Sequence, residues 1–95
     1  MAALVPSIVL VECLQGHAAR DAAENELLKA CDVVEQLAAP LARRAAQLRR
    51  RARRGSAVDA ICVVLAEPGG TVLTSDRLDL EALAGHARGV KIERV

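Results

Sequence analysis

Three carboxylates lie in or beside segments whose other residues are mostly apolar. Glu12 lies within "VPSIVLVECLQG", Asp59 within "SAVDAICVVLA", and Asp76 directly after "TVLT". An isolated buried carboxylate is costly, whereas several that converge on Mg²⁺ or Mn²⁺ are satisfied, because these cations prefer oxygen ligands. A metal held in this way would polarise a phosphate and lower the pKa of a bound water. The chemistry that these residues imply is therefore phosphodiester hydrolysis.

Two of these acids have an equally simple structural interpretation. Asp59 follows Ser56 by three residues, which is the spacing of a helix capping arrangement. Asp76 could cap the helix that follows it, with Asp79 in the favourable first turn. Taken one at a time, both aspartates fit a cap at least as well as a metal ligand.

Glu12 is different, because it is too far along its helix to cap the start. Its neighbours from Val9 to Leu14 are otherwise apolar, so no salt-bridge partner is evident nearby. Either Glu12 belongs to a site, or it lies on a narrow exposed stripe with Ser7 and Gln15. The pattern alone does not choose between the two.

The elements that must position these residues alternate between strand and helix. Apolar period, glycines and capping residues predict strands and helices in the following order along the chain. They are a strand over residues 2–5, a helix from Pro6 to near Gly16, a helix over Ala18 to Ala30, a strand over Asp32 to Gln36, a helix over 38–54, a helix capped by Ser56, a strand over 71–74, a helix over 75–87 and a strand over 90–95. This alternation predicts one α/β domain over residues 1–95 with a mainly parallel sheet.

The helix over residues 18–30 is predicted to be amphipathic. Leu27 and Leu28 are expected to face inward, and polar residues such as Asp21 are expected to face outward with Arg20, Glu24 and Lys29. The three cysteines, Cys13, Cys31 and Cys62, lack the short spacing of a zinc or redox motif, so we expect reduced core residues.

Composition restricts the class of protein further. The 95 residues are 53% hydrophobic and include no Phe, Trp or Tyr, so bases cannot stack on aromatic rings. The apolar start of the chain has no basic region ahead of it, and Pro6 and Glu12 interrupt it, which argues against a signal peptide or a membrane span. A soluble, cytoplasmic protein without membrane contact is expected.

Arginines are concentrated in one predicted helix. Of the 13 Lys and Arg residues, seven lie there, and they are Arg43, Arg44, Arg49, Arg50, Arg51, Arg53 and Arg54. Such a cluster suits an RNA phosphate backbone or an acidic stretch of a partner protein, and it is equally typical of a solvated helix face. The weakly predicted RNA-binding residues are Arg43, Arg44, Arg50, Arg51 and Arg54.

Together, "VPSIVLVECLQG" and "GSAVDAICVVLAEPGGTVLTSDRLDLEAL" resemble the PIN domain family, in particular its VapC-like toxin ribonucleases. The resemblance runs from Val5 to Val95. It implies a three-layer, Rossmann-like α/β fold and a metal-dependent endoribonuclease that uses Mg²⁺ or Mn²⁺. It implies an RNA substrate, a VapB-like antitoxin and a homodimer as partners. Among site residues it implies that Glu12, Asp59 and Asp76 are catalytic metal ligands, supported by Ser75 and, less directly, by Asp79.

One departure from the family pattern affects these expectations. The resemblance implies a further strand that ends in another Asp and is followed by helical segments, all ahead of the "VP" strand. This chain starts at Met1, just short of the "VP" strand. We therefore expect an N-terminally truncated domain whose site lacks its first carboxylate. Because catalysis depends steeply on positioning, the expected alternative is an inactive remnant that binds an antitoxin or a second copy.

Overall fold

The computed structural model describes residues 3–95, which form two compact units. Unit 1 is Met1–Leu37, of which residues 1 and 2 are not described, and unit 2 is Ala38–Val95. The elements are β1 (Ala3–Pro6), α1 (Ser7–Cys13), α2 (Ala22–Leu28), β2 (Cys31–Val34), α3 (Ala39–Ala52), α4 (Ala57–Ala66), β3 (Thr71–Thr74), α5 (Leu78–Ala84) and β4 (Lys91–Arg94).

Unit 1 consists of two parallel strands and two short helices. Strand β1 pairs with β2 in parallel, with Val5 opposite Val33. Pro6 has an extended backbone and precedes the first residue of α1, so the strand passes directly into the helix. This confirms the strand-to-helix transition predicted from "VPS". The predicted helix from Pro6 to near Gly16 is too long, because Pro6 is the last residue of β1 and α1 spans Ser7–Cys13.

The second helix of unit 1 differs from its prediction in its bounds and in which side chains it buries. The second helix spans Ala22–Leu28 rather than Ala18 to Ala30, and Leu27, expected to face inward, is 70% exposed. Asp21, expected to face outward, is only 4% exposed. Its two carboxylate oxygens accept hydrogen bonds from the backbone N–H groups of Gln15 and His17, at 2.8 and 3.1 Å. These bonds compensate the burial of the charge, so Asp21 holds the turn that precedes α2.

Unit 2 contains the hydrophobic core of the described residues. Helices α3, α4 and α5 pack together, and Leu48, Val63 and Leu83 are their largest fully buried side chains. The buried set is completed by Ala45, Ala60, Ile61, Val64, Leu80 and Val90. Because no aromatic residue is available, small and branched aliphatic side chains fill this core.

A second parallel pair lies against that core. Strand β3 pairs with β4, with Val72 opposite Ile92, and both of these side chains pack on the buried cluster. The ladder is extended by bonds from the Lys91 N–H to the Gly70 carbonyl and from the Val95 N–H to the Thr74 carbonyl. The mixture of helices and parallel strands confirms the predicted α/β class.

The three cysteines differ in their exposure. All three cysteines are in the thiol form, but Cys13 is exposed, so the expectation of a core position is wrong for this residue. Cys31 and Cys62 are half-buried. Among residues 3–95, no helix combines the length and the apolar composition needed to cross a bilayer.

Candidate functional site

Asp59 lies in the first turn of helix α4 as part of a complete capping box. The Asp59 N–H donates to Ser56 Oγ at 3.0 Å, and Asp59 Oδ2 accepts from the Ser56 N–H at 3.2 Å. The two residues thereby satisfy two N–H groups that the first turn of a helix leaves without partners. The capping alternative for "SAVD" is confirmed, and Asp59 has a structural role whatever else it does.

Loss of this cap should be measurable in the whole chain. We expect Ser56→Ala to lower the free energy of unfolding by about 1 kcal/mol, because the N–H of Asp59 loses its acceptor. Thermal or urea unfolding followed by circular dichroism measures the change. Ser75→Ala is the control: Ser75 is exposed and makes no hydrogen bond to another described residue, so its replacement should change stability by less than about 0.5 kcal/mol. Equal losses in the two variants would contradict the capping role.

Asp76 lies in the turn between β3 and α5 and is held there by Thr74. The Thr74 hydroxyl donates to the Asp76 carbonyl at 2.8 Å and accepts from the Asp76 N–H at 3.1 Å. Asp76 Oδ1 accepts from the Leu78 N–H at 3.3 Å, at the first residue of α5. The N-cap of α5 is Arg77, which makes no side-chain cap bond. The predicted cap by Asp76 is therefore wrong, and Asp76 instead holds the turn that precedes the helix. Sequence reasoning missed Thr74, although a Thr two residues before an Asp at a strand end is a signal for such a turn.

Asp79 lies in the first turn of α5 and forms an ion pair. Its Oδ1 accepts from Arg54 Nε at 2.7 Å, and both side chains are about half exposed. Arg54 belongs to the connection that leads from α3 into α4. This contact therefore joins that connection to the start of α5. Asp59 lies near the start of α4, and Asp76 and Asp79 lie near the start of α5.

The predicted site residues are divided between the two units. Glu12 is exposed on α1 in unit 1, whereas the three aspartates belong to unit 2. Within residues 3–95, no group of three or more His, Cys, Asp or Glu side chains is placed so that it could hold a metal ion. Carboxylates have the chemistry that Mg²⁺ or Mn²⁺ requires. Within unit 2, the described side-chain bonds of Asp59, Asp76 and Asp79 go to backbone N–H groups and to Arg54.

The best-buried ion pair of the described residues lies elsewhere in unit 2. Arg44 Nε and Nη2 donate to Glu67 Oε1 and Oε2 at 3.0 and 2.8 Å, and the Arg88 N–H also donates to Glu67 Oε2 at 2.8 Å. The hydrogen bond with Arg44 lowers the pKa of Glu67, although burial acts against it, and the same bond raises the pKa of Arg44. Glu67 thus connects α3, the end of α4 and the segment before β4.

This contact changes the interpretation of the arginine cluster. Arg44 is engaged with Glu67 and Arg54 with Asp79, and Arg49 Nε donates to the Gly55 carbonyl at 3.3 Å. Helix α3 ends at Ala52, and Arg53 follows it in the left-handed conformation, with φ of 56°. The predicted single helix over residues 38–54 is therefore slightly too long. Sequence reasoning missed Glu67, because its partner lies 23 residues away and no local pattern marks it.

The family found by comparison with known proteins is consistent with the fold. The parallel strands joined by helices, with acids at the helix starts, define an α/β protein of the kind in which ligands bind beyond the strand ends. The family model of the PIN domain matches residues 2–85, and the chain belongs to the PIN domain family. Membership of this family indicates a nuclease type of function. Searches of curated proteins and of solved structures found no match.

Proposed function

We propose that this chain is a ribonuclease of the VapC toxin type that hydrolyses RNA phosphodiesters. The observation that carries the proposal is the family match over residues 2–85, together with acids at the start of α4, after β3 and on α1. The proposed partners are an RNA substrate, a VapB-like antitoxin and a second copy of the chain, and the proposed location is the cytoplasm.

The proposed cofactor is Mg²⁺ or Mn²⁺, with Glu12, Asp59 and Asp76 as ligands and with Ser75 and Asp79 in support. A cation bound by these carboxylates would polarise the scissile phosphate and activate a water. In unit 2, Asp59 and Asp76 each accept a backbone N–H at the N-terminal end of a helix, and Asp79 pairs with Arg54.

The test is cleavage of RNA by the whole chain in Mg²⁺ or Mn²⁺, with and without a chelator. We expect Glu12→Gln and Asp76→Asn to reduce cleavage about a hundred-fold or more. Each variant loses a negative charge that would help to position the metal and the RNA phosphate. An amide oxygen at residue 76 can still accept from the Leu78 N–H, so Asp76→Asn preserves this hydrogen bond. Loss of cleavage without loss of stability is therefore the expected result.

Two exposed acids outside the predicted site supply matched controls. Glu24 lies on α2 and Asp32 lies on β2. The variants Glu24→Gln and Asp32→Asn make the same chemical change as the site variants. These controls should cleave RNA as the unmodified chain does. Unchanged cleavage by Glu12→Gln, or equal losses in site and control variants, would overturn the assignment of the site.

A second candidate function is binding of an antitoxin or of a second copy, without catalysis. The observation that favours it is that Asp59, Asp76 and Asp79 are all engaged in bonds that hold helices or pair with an arginine. Sedimentation of the isolated chain should then show a dimer, and RNA should stay intact in every metal tested. Chelator-sensitive turnover by the isolated chain would exclude this candidate.

A further inference from the structure

Four arginines at α3 form a positively charged surface with no partner among the described residues. They are Arg43, Arg50 and Arg51 on α3 and Arg53 just after it, and we refer to them as the α3 arginine surface. All four side chains are exposed, and none makes a hydrogen bond or ion pair with another residue in the range 3–95. The arginines on either side differ, because Arg44, Arg49 and Arg54 are bonded within unit 2.

The period of the helix places this surface opposite the core. Arg43 and Arg50 are seven residues apart, which brings them to the same side of an α-helix, and Arg51 adjoins them. The buried residues of α3, Ala45 and Leu48, lie on the other side. The free charges therefore form a stripe along the helix that continues past its end to Arg53.

No acid nearby in sequence neutralises the stripe. Residues 38–58 contain seven of the 13 basic residues of the chain and none of its 12 acidic ones. Glu67 and Asp79, the acids that contact this segment from elsewhere in unit 2, are bonded to Arg44 and Arg54 instead. A chain with a net charge of only +1 thus concentrates positive charge on one helix face.

The surroundings of the surface favour RNA over an acidic protein segment. No large hydrophobic side chain is exposed between Leu37 and Leu73, and the chain has no aromatic residue. A protein interface normally has an apolar centre with aromatic anchors, which this surface lacks. A phosphate backbone requires only guanidinium donors, which arginine presents as a planar fork.

We infer that the α3 arginine surface binds the phosphate backbone of single-stranded RNA without base preference. The inference rests on the proposed ribonuclease function and specifies where its substrate is held. Without aromatic rings there is no stacking, so affinity comes from charge and falls with salt. If four phosphates are neutralised on a single strand, raising the salt from 50 to 200 mM should weaken binding roughly fifty-fold.

The experiment measures RNA binding without cleavage. Fluorescence anisotropy of a labelled mixed-sequence RNA 12-mer is recorded with the full chain in EDTA, over a range of salt concentrations. The test variant replaces Arg43, Arg50, Arg51 and Arg53 by Gln, which has similar helix propensity. The control variant removes the same charge at four exposed residues outside the surface. They are Arg20, Arg88, Lys91 and Arg94.

Circular dichroism establishes first that both variants are folded. We expect the test variant to bind at least tenfold more weakly at 50 mM salt and to lose most of its salt dependence, while the control variant loses less than threefold. Equal losses in the two variants, or no loss in either, would overturn the inference. The inference would also be overturned if polyglutamate displaced the protein from RNA at a far lower concentration than unlabelled RNA does. That outcome would identify an acidic protein segment as the ligand of this surface. Because EDTA is present, failure of cleavage in the earlier test does not affect this result.

Discussion

Glu67→Gln is expected to lower the free energy of unfolding by about 3 kcal/mol, although Glu67 lies outside every predicted site. The side chains of Glu67 and Arg44 are only 8% and 18% exposed. The two carboxylate oxygens accept three N–H groups, from Arg44 Nε, Arg44 Nη2 and Arg88. A glutamine in either orientation turns its own N–H₂ toward a donor, which leaves the half-buried guanidinium of Arg44 without its counter-charge.

The control for this prediction is the exposed pair of unit 2. Arg54→Gln breaks the contact with Asp79, in which the two side chains are 51% and 46% exposed. This variant should lower the free energy of unfolding by less than about 1 kcal/mol. Urea unfolding followed by circular dichroism measures both changes. If the two variants lost the same stability, the larger contribution of the Glu67 pair to the free energy of unfolding could not be attributed to its burial.

The pH dependence of stability gives a second readout of the same contact. Since the pKa of Glu67 in the folded chain lies below its ordinary value of 4.5, the unfolded chain takes up the proton first as the pH falls. The stabilisation is therefore complete above about pH 5.5 and is lost as the pH falls from 4.5 through the lower folded pKa. The difference in stability between the unmodified chain and Glu67→Gln should shrink in this window. A difference that stays constant down to pH 3 would contradict the lowered pKa.

Leu83→Ala is expected to cost about 3 kcal/mol by opening a cavity in the core of unit 2. Leu83 is fully buried on α5, whereas Leu78 on the same helix is 66% exposed. Leu78→Ala makes the same chemical change and should alter stability by less than about 0.5 kcal/mol. Comparable losses from the two variants would show that the core is not centred on Leu83.

Gly55 provides an independent measure of the packing around Leu83. A Cβ added at Gly55 would lie 2.7 Å from Leu83 Cδ1, and the backbone there has a φ of +94°. Gly55→Ala should therefore be less costly in the Leu83→Ala background than in the unmodified chain, because only the backbone strain remains. Additive losses would mean that the two residues do not touch.

Local features of this chain could be predicted from sequence with good accuracy. The capping box of Ser56 and Asp59, the passage from β1 into α1 at Pro6 and the strand "TVLT" all appear as expected. Each depends on residues within three or four positions of one another, so the sequence pattern contains the whole interaction.

Burial and pairing were predicted less well. Leu27 is exposed and Asp21 is buried, the reverse of the amphipathic expectation for α2. A helical period shows which residues share a side, but what covers that side depends on chain segments elsewhere. Asp21 is satisfied by backbone N–H groups of the preceding turn, and no hydrophobic pattern registers such a bond.

The sequence by itself determined the α/β order of elements, the cap at Ser56, and membership of the PIN domain family. Only the tertiary structure decided which arginines are free, because Arg44 and Arg54 meet acids 23 and 25 residues away. Seven similar side chains are thereby separated into bonded ones and an exposed surface. The reason is that a charge is neutralised by its neighbours in space, and for these residues the fold alone supplies those neighbours.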